Sequence, residues 1–200
     1  MSLRFALLAL LTSRPMTGYD VSKQFSQSVA HVWHAPDSQI YPELNRMERD
    51  GLLESAVVPW GKKGTKKEYA VTEAGVKAFR EWMDSPIEIR RQREPAYLKA
   101  AYLEWAEPGA ARAELKQFRD HWTEHLAMLE ATRATLVDRS HPTLARRLEH
   151  YDASEWDRIV RYKIFAYDGL IDQARAAITW AERGLLLVEE LEGSPSTEPA

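Results

Sequence analysis

The chain of 200 residues contains no cysteine. That excludes a disulfide framework, an iron–sulfur cluster, a thiolate zinc site and a thiol nucleophile. Long apolar runs are also missing. The longest, residues 5–11, falls far short of the roughly 18 residues that cross a bilayer. The N-terminus lacks the basic, apolar and small-residue regions of a secretory leader. These absences predict a cytoplasmic protein that makes no membrane contact. The glycine patterns of dinucleotide sites, phosphate-binding loops and nucleophile elbows do not occur. Glu-x-x-His is absent too, which disfavours a di-iron bundle. Nor is there a large excess of one charge. The net charge is −3, made up of +1 over residues 1–84 and −4 over the rest. Composition alone therefore names no nucleic-acid partner, and local clustering has to carry that argument.

What is present is a globular mixture, 44% apolar and 28% charged. Prolines and glycines divide the first half into short elements. Residues 3–12 are apolar on nearly every side and predict a buried helix ended by Pro15. Thr17 and Asp20 resemble a capping box that starts a second helix, running to about residue 28. Asp37 or Ser38 caps a third helix, which Gly51 stops. Pro42 fits there if it lies in or near the first turn. The period then switches from helical to extended. Residues 53–58 and 66–71 predict a β-hairpin, and Thr72 caps a fourth helix to about Met83. Ser85 and Pro86 open a linker over 85–94. Beyond it the pattern is helical: 95–106, 110–139, a short helix near 144–151, and a very long one over 154–192. Residues 193–200 read as a disordered tail.

The two long helices carry apolar residues in 3-4 alternation, from Leu115 through Trp122 and His125 to Leu136, and from Trp156 through Ile171 to Val188. This resembles a coiled-coil seam and predicts a dimerisation arm in preference to a monomeric bundle. Five of the seven tryptophans, Trp82, Trp105, Trp122, Trp156 and Trp180, lie on or after the fourth helix. They are expected to anchor cores, or else to line a gap that takes a flat apolar ligand.

On a wheel, Ile40, Leu44 and Met47 of the third helix form one buried stripe. Opposite lie Ser38, Tyr41, Pro42, Asn45, Arg46 and Arg49. Asparagine can bond adenine bidentately, and arginine can bond guanine or hold a phosphate. At the hairpin tip Lys62, Lys63, Lys66 and Lys67 lie close together, and no acid occurs between Glu54 and Glu68. Such lysines suit phosphate contacts, which position a protein without reading sequence. The element order places a reading helix and a basic wing on one surface.

Three stretches carry a resemblance: 7–11 with Thr17-Gly-Tyr-Asp-Val21; the segment Ser38 to Leu53, with Tyr-Pro-x-Leu at 41–44; and Gly64 to Gly75, with Lys-x-Tyr-x-x-Thr-x-x-Gly at 67–75. Residues 3–83 resemble the PadR family of bacterial winged-helix transcriptional regulators. At Glu68-Tyr69 the chain departs from the two aromatics common there, which sets an acid beside the wing lysines. The resemblance implies a mainly α fold with two domains. The first, residues 1–84, is a winged helix-turn-helix with a two-stranded β wing. The second, residues 95–192, is an α-helical dimerisation domain. The resemblance also implies a homodimer that represses a promoter on double-stranded DNA, its operator, and releases it on binding a small aromatic or phenolic effector. By position, Ser38, Gln39, Tyr41, Pro42, Asn45 and Arg46 would contact bases and backbone from the recognition helix. Thr17, Gly18 and Tyr19 would lie at a neighbouring helix N-terminus facing phosphate. Lys62, Lys63, Thr65, Lys66 and Lys67 would be wing contacts. No cofactor and no catalytic residue are expected.

Two rival readings remain open. His121-Trp-Thr-Glu-His125 fits an H-x-x-E-H zinc motif, in which Glu124 would serve as base and Glu189 or Glu190 as third ligand. The alternative to such a metal-dependent hydrolase is a helical adaptor whose first domain binds protein. His31 and His34 are expected to be ordinary loop histidines.

Overall fold

The structure is a computed structural model, and it describes residues 3–26, 35–61, 64–87, 94–107 and 109–193. The chain divides into two compact units, 1–89 with 142–153, and 90–141 with 154–200. Chain order alone does not suggest that the segment 142–153 groups with the first unit.

In the first unit the elements run α1 (Leu3–Leu11), β1 (Met16–Thr17), α2 (Gly18–Gln24), α3 (Asp37–Arg49), β2 (Leu53–Trp60), β3 (Gly64–Val71) and α4 (Glu73–Asp84). Leu7, Leu8, Val21, Ile40, Leu44 and Met47 are almost fully buried and share one core with Leu11, Met16, Leu53 and Tyr69. Phe5 of α1 stacks on Trp82 of α4 at 4.8 Å. Gly51 takes φ +74° just past α3. There its N–H bonds Glu48 O and the Leu52 N–H bonds Met47 O, closing the helix with paired bonds. The α7 helix (Pro142–Leu148) belongs to this unit: Leu144 and Leu148 are buried, and Arg147 donates to the Ala9 carbonyl.

The sheet has three antiparallel strands in the order β1-β3-β2, where the sequence predicts two. The added strand pairs Met16 with Tyr69 and Thr17 with Glu68. Two residues carry no readable period, so only pairing identifies it as a strand. The hairpin strands are also longer than expected, because pairing continues to Trp60 and Gly64. Pro42 lies inside α3, past its first turn. It removes one helical donor, that for the Ser38 carbonyl. The helix stays continuous because Ile40, Leu44 and Met47 hold it on the core.

In the second unit α5 (Pro95–Ala100) is followed by a 3₁₀ turn at Leu103–Trp105, then α6 (Ala110–Val137) and α8 (Ala153–Gly193). The single helix expected over 95–106 is broken. The turn lets Leu103 pack against Ala111, Leu115 and Val188, while Trp105 is left 85% exposed. The helices α6 and α8 are antiparallel. Their register follows from Phe118 against Trp180 at 5.3 Å, Arg133 to Asp168 at 2.6 Å and Arg175 to Glu130 at 2.7 Å. No helix among the described residues is long and apolar enough to cross a membrane. Most of the linker at 85–94, nearly all of the tail at 193–200, the end of the expected second helix, His31 and His34 lie outside the described residues.

Candidate nucleic-acid interface

The candidate surface is built by α3, the α2 N-terminus and the hairpin. Burial of Ile40, Leu44 and Met47 turns the opposite face of α3 outward. Ser38, Gln39, Tyr41, Pro42, Asn45, Arg46 and Arg49 are all exposed. Arg46 donates to Glu43 at 3.0 Å, and Glu43 also receives Arg4 at 3.0 Å. That carboxylate restrains the Arg46 stem yet leaves most of the side chain in solvent.

Thr17 caps α2 as expected. Its hydroxyl donates to Asp20 Oδ2 at 2.7 Å and accepts the Asp20 N–H. Tyr19 is exposed. Gly18 is not: it is buried, and a Cβ there would meet the Tyr41 ring at 2.7 Å. Its place on this surface is therefore steric, as the floor on which Tyr41 rests.

The wing lysines separate into different environments. Lys66 Nζ sits 4.0 Å from the Trp60 ring centre and 4.9 Å from that of Tyr19. Both aromatics are more than half exposed, so the ammonium is held by ring faces and still reaches water. Lys67 instead donates to Glu48 of α3 at 2.5 Å, while Ser55 donates to the other oxygen of that carboxylate. These bonds hold the Glu48 carboxyl below its usual range and raise the Lys67 ammonium above its own. Thr65 is exposed opposite Pro59. Lys62 and Lys63 lie outside the described residues.

Sequence reasoning missed Trp60, Glu48 and Tyr69. The signal for Trp60 was an aromatic at the end of a polar hairpin. Tyr69 stands in the Lys-x-Tyr motif at 67–75, but nothing local gives its bond to Asn45, and nothing local marks Glu48. Tyr69 is 4% exposed on the middle strand, and its hydroxyl donates to Asn45 Oδ1 at 3.1 Å. Burial raises its pKa, so the phenol stays a donor.

A second feature lies in the other unit. A cavity of about 380 Å³ is lined by Leu103, Leu115, Phe118, His121 and Trp180, among others, with the Lys99–Glu114 ion pair beside it. Trp180 meets Tyr97 and Phe118 edge-on, at 4.9 and 5.3 Å. The size and the aromatic walls suit a small planar molecule. His121 also stacks with His125 at 6.4 Å. The antiparallel register sets Glu192 opposite Arg112 and Trp180 opposite Phe118, which carries Glu189 and Glu190 along α8 away from His121. Among the described residues no group of three or more His, Cys, Asp or Glu could hold a metal ion. The H-x-x-E-H motif thus gains no third ligand there.

Residues 7–81 match the model of the transcriptional regulator PadR-like family. The chain is 32% identical to the negative transcriptional regulator PadR of Bacillus subtilis over 101 residues, 50% of this chain and 53% of that one. It thus spans about half the length of that curated relative. Among solved structures, B. subtilis PadR in complex with operator DNA has a TM-score of 0.74 at 21% identity, covering 92% of this chain and 97% of that one. The same protein in complex with p-coumaric acid has a TM-score of 0.58 at 20% identity, with 94% and 98% covered. The Vibrio cholerae virulence activator AphA has a TM-score of 0.67 at 25% identity, with 95% and 99% covered.

Proposed function

We propose, from a winged-helix domain whose residues 7–81 match the model of the PadR-like family of transcriptional regulators, that this chain is a cytoplasmic DNA-binding regulator of that family. In this reading it is a homodimer that represses from an operator and lets go when a small effector binds. The observation that carries the reading is the exposed α3 face of Gln39, Asn45, Arg46 and Arg49, built in one domain with the Lys66 wing.

The division of labour follows from chemistry. Side chains of α3 enter the major groove, where each base pair offers its own donors and acceptors. Lysines of the wing neutralise phosphate and supply affinity that carries no sequence information. Two such domains must sit about one DNA turn apart, roughly 34–36 Å, to enter successive grooves. Helix α8, of 41 residues and about 60 Å in length, supports the dimer. It leaves Tyr162, Phe165, Leu186, Leu187 and Leu191 exposed, a set of apolar side chains suited to a second copy. The cavity beside Trp180 is our choice for the effector site. An effector shifts occupancy only through a difference in its affinity for the DNA-bound and free arrangements.

The test is a gel-shift titration on DNA upstream of the chain's own coding region, with random competitor and varied salt. A specific regulator binds at about nanomolar concentration and resists competitor. Equal retention by random DNA at every salt concentration would sink the reading. A finer prediction concerns the reading helix. Asn45→Ala and Arg46→Ala each weaken operator binding by about 1–3 kcal/mol and leave random-DNA binding nearly unchanged. Equal weakening on both DNAs would place these side chains on backbone only.

A further inference from the structure

The hydrogen bond from Tyr69 to Asn45 joins two parts of the interface that are 24 residues apart in sequence. Tyr69 lies on the middle strand, with Met16 paired on one side and Ser55 on the other. Its backbone is thereby fixed from both edges, and its ring is buried in the core. The hydroxyl is the group that meets the exposed face of α3. Among the described residues the Asn45 side chain makes this one hydrogen bond, through Oδ1, and its amide nitrogen makes none.

A carboxamide has one accepting and one donating end, and a half-turn about its terminal torsion exchanges them. With nothing to hold it, such a group offers either end to a base. Adenine presents the N6 donor beside the N7 acceptor, while guanine presents two acceptors, O6 and N7. A held amide matches adenine at both atoms and sets oxygen against oxygen at guanine. Donation from Tyr69 uses one lone pair of Oδ1 and leaves the second for the N6 amino group.

We propose that Tyr69 is a positioning residue for base reading, holding the Asn45 carboxamide in one orientation and so setting adenine over guanine at the base pair it faces. The inference rests on the reading of α3 as the recognition element. It assigns sequence selectivity to a buried side chain that touches no DNA.

The experiment compares Tyr69→Phe with the unaltered chain on the operator, on random DNA, and on operators with each adenine in turn replaced by guanine. Tyr69→Phe keeps the ring and removes only the hydroxyl. The expected result is a roughly two- to tenfold drop in adenine preference at one position, the worth of one hydrogen bond, with random-DNA affinity and salt slope unchanged. In an Asn45→Ala background the same change has no effect on preference. Full preference retained in Tyr69→Phe, or an equal drop in the Asn45→Ala background, would overturn the inference. If the unaltered chain itself shows no operator preference over random DNA, the regulator reading fails and this inference with it.

Discussion

Replacing Lys62, Lys63 and Lys66 together by alanine lowers affinity for operator and random DNA alike. Each phosphate left without its lysine flattens the slope of log affinity against log salt by about 0.9, so the slope of the triple variant is shallower by roughly 2.7. At low salt the affinity itself falls on the order of tenfold to a hundredfold. Lys67→Ala behaves differently. Its ammonium already has the Glu48 carboxylate as counterion at 2.5 Å, so few ions are released when it nears a phosphate. The single Lys67→Ala variant therefore shows a smaller slope change than Lys66→Ala. Titrations from about 50 to 200 mM salt measure both. A triple variant with the native slope would remove the wing from the interface. A Lys67→Ala variant that matches Lys66→Ala would mean that the Glu48 pair opens on DNA.

The largest effect on folding is expected at Gly75. A Cβ there would lie 2.2 Å from the Leu52 carbonyl oxygen and 2.8 Å from Val71 Cγ1. The first obstruction is backbone, so no side-chain rotation relieves it. The same carbonyl accepts the Thr72 N–H at 3.1 Å. Thr72 in turn caps α4 through the Gly75 N–H and donates to the Gly51 carbonyl at 2.7 Å. Moving α4 away strains this cap and the junction of α3, β2 and α4 together. We expect Gly75→Ala to destabilise the first unit by about 3 kcal/mol or more. In a domain of this size that lowers the melting temperature by roughly 12 °C or more. Gly169→Ala is the control. Nothing lies within 4 Å of its Cβ position, and alanine favours a helix interior by about 1 kcal/mol. Thermal melts of the two variants separate a steric requirement from a general effect of replacing glycine. A Gly75→Ala variant that melts like the unaltered chain would show that the junction yields freely.

The contrast between those glycines reflects what chain order can and cannot carry. Neighbouring residues determine the inward stripe of α3, because Ile40, Leu44 and Met47 recur at the helical period. They determine the turn at Gly51 and the caps at Thr17 and Thr72 as well, since each rests on bonds between residues three to five apart. The exposed face of Asn45, Arg46 and Arg49 follows from the same wheel. So does the hairpin, where alternation and glycines announce two strands.

Tertiary structure decided the rest. Met16–Thr17 is a strand only because β3 lies beside it. Lys66 and Lys67 look alike in sequence, yet one is set against Trp60 and Tyr19 and the other against Glu48, because successive strand residues point to opposite faces. Gly18 is buried because Tyr41 arrives from another helix. The helix expected over 95–106 broke where Leu103 found a core to enter. His121 and the glutamates of α8 were separated by an antiparallel register that spacing along one helix does not contain. Short-range periodicity and the caps at Thr17 and Thr72 are properties of a segment, and the sequence by itself determined them; the cap expected at Asp37 or Ser38 did not form, because α3 begins at Asp37 behind Pro36, which has no side-chain acceptor to offer. Partners 19, 24 or more residues away depend on how helices and strands pack, and only the folded chain assigns them.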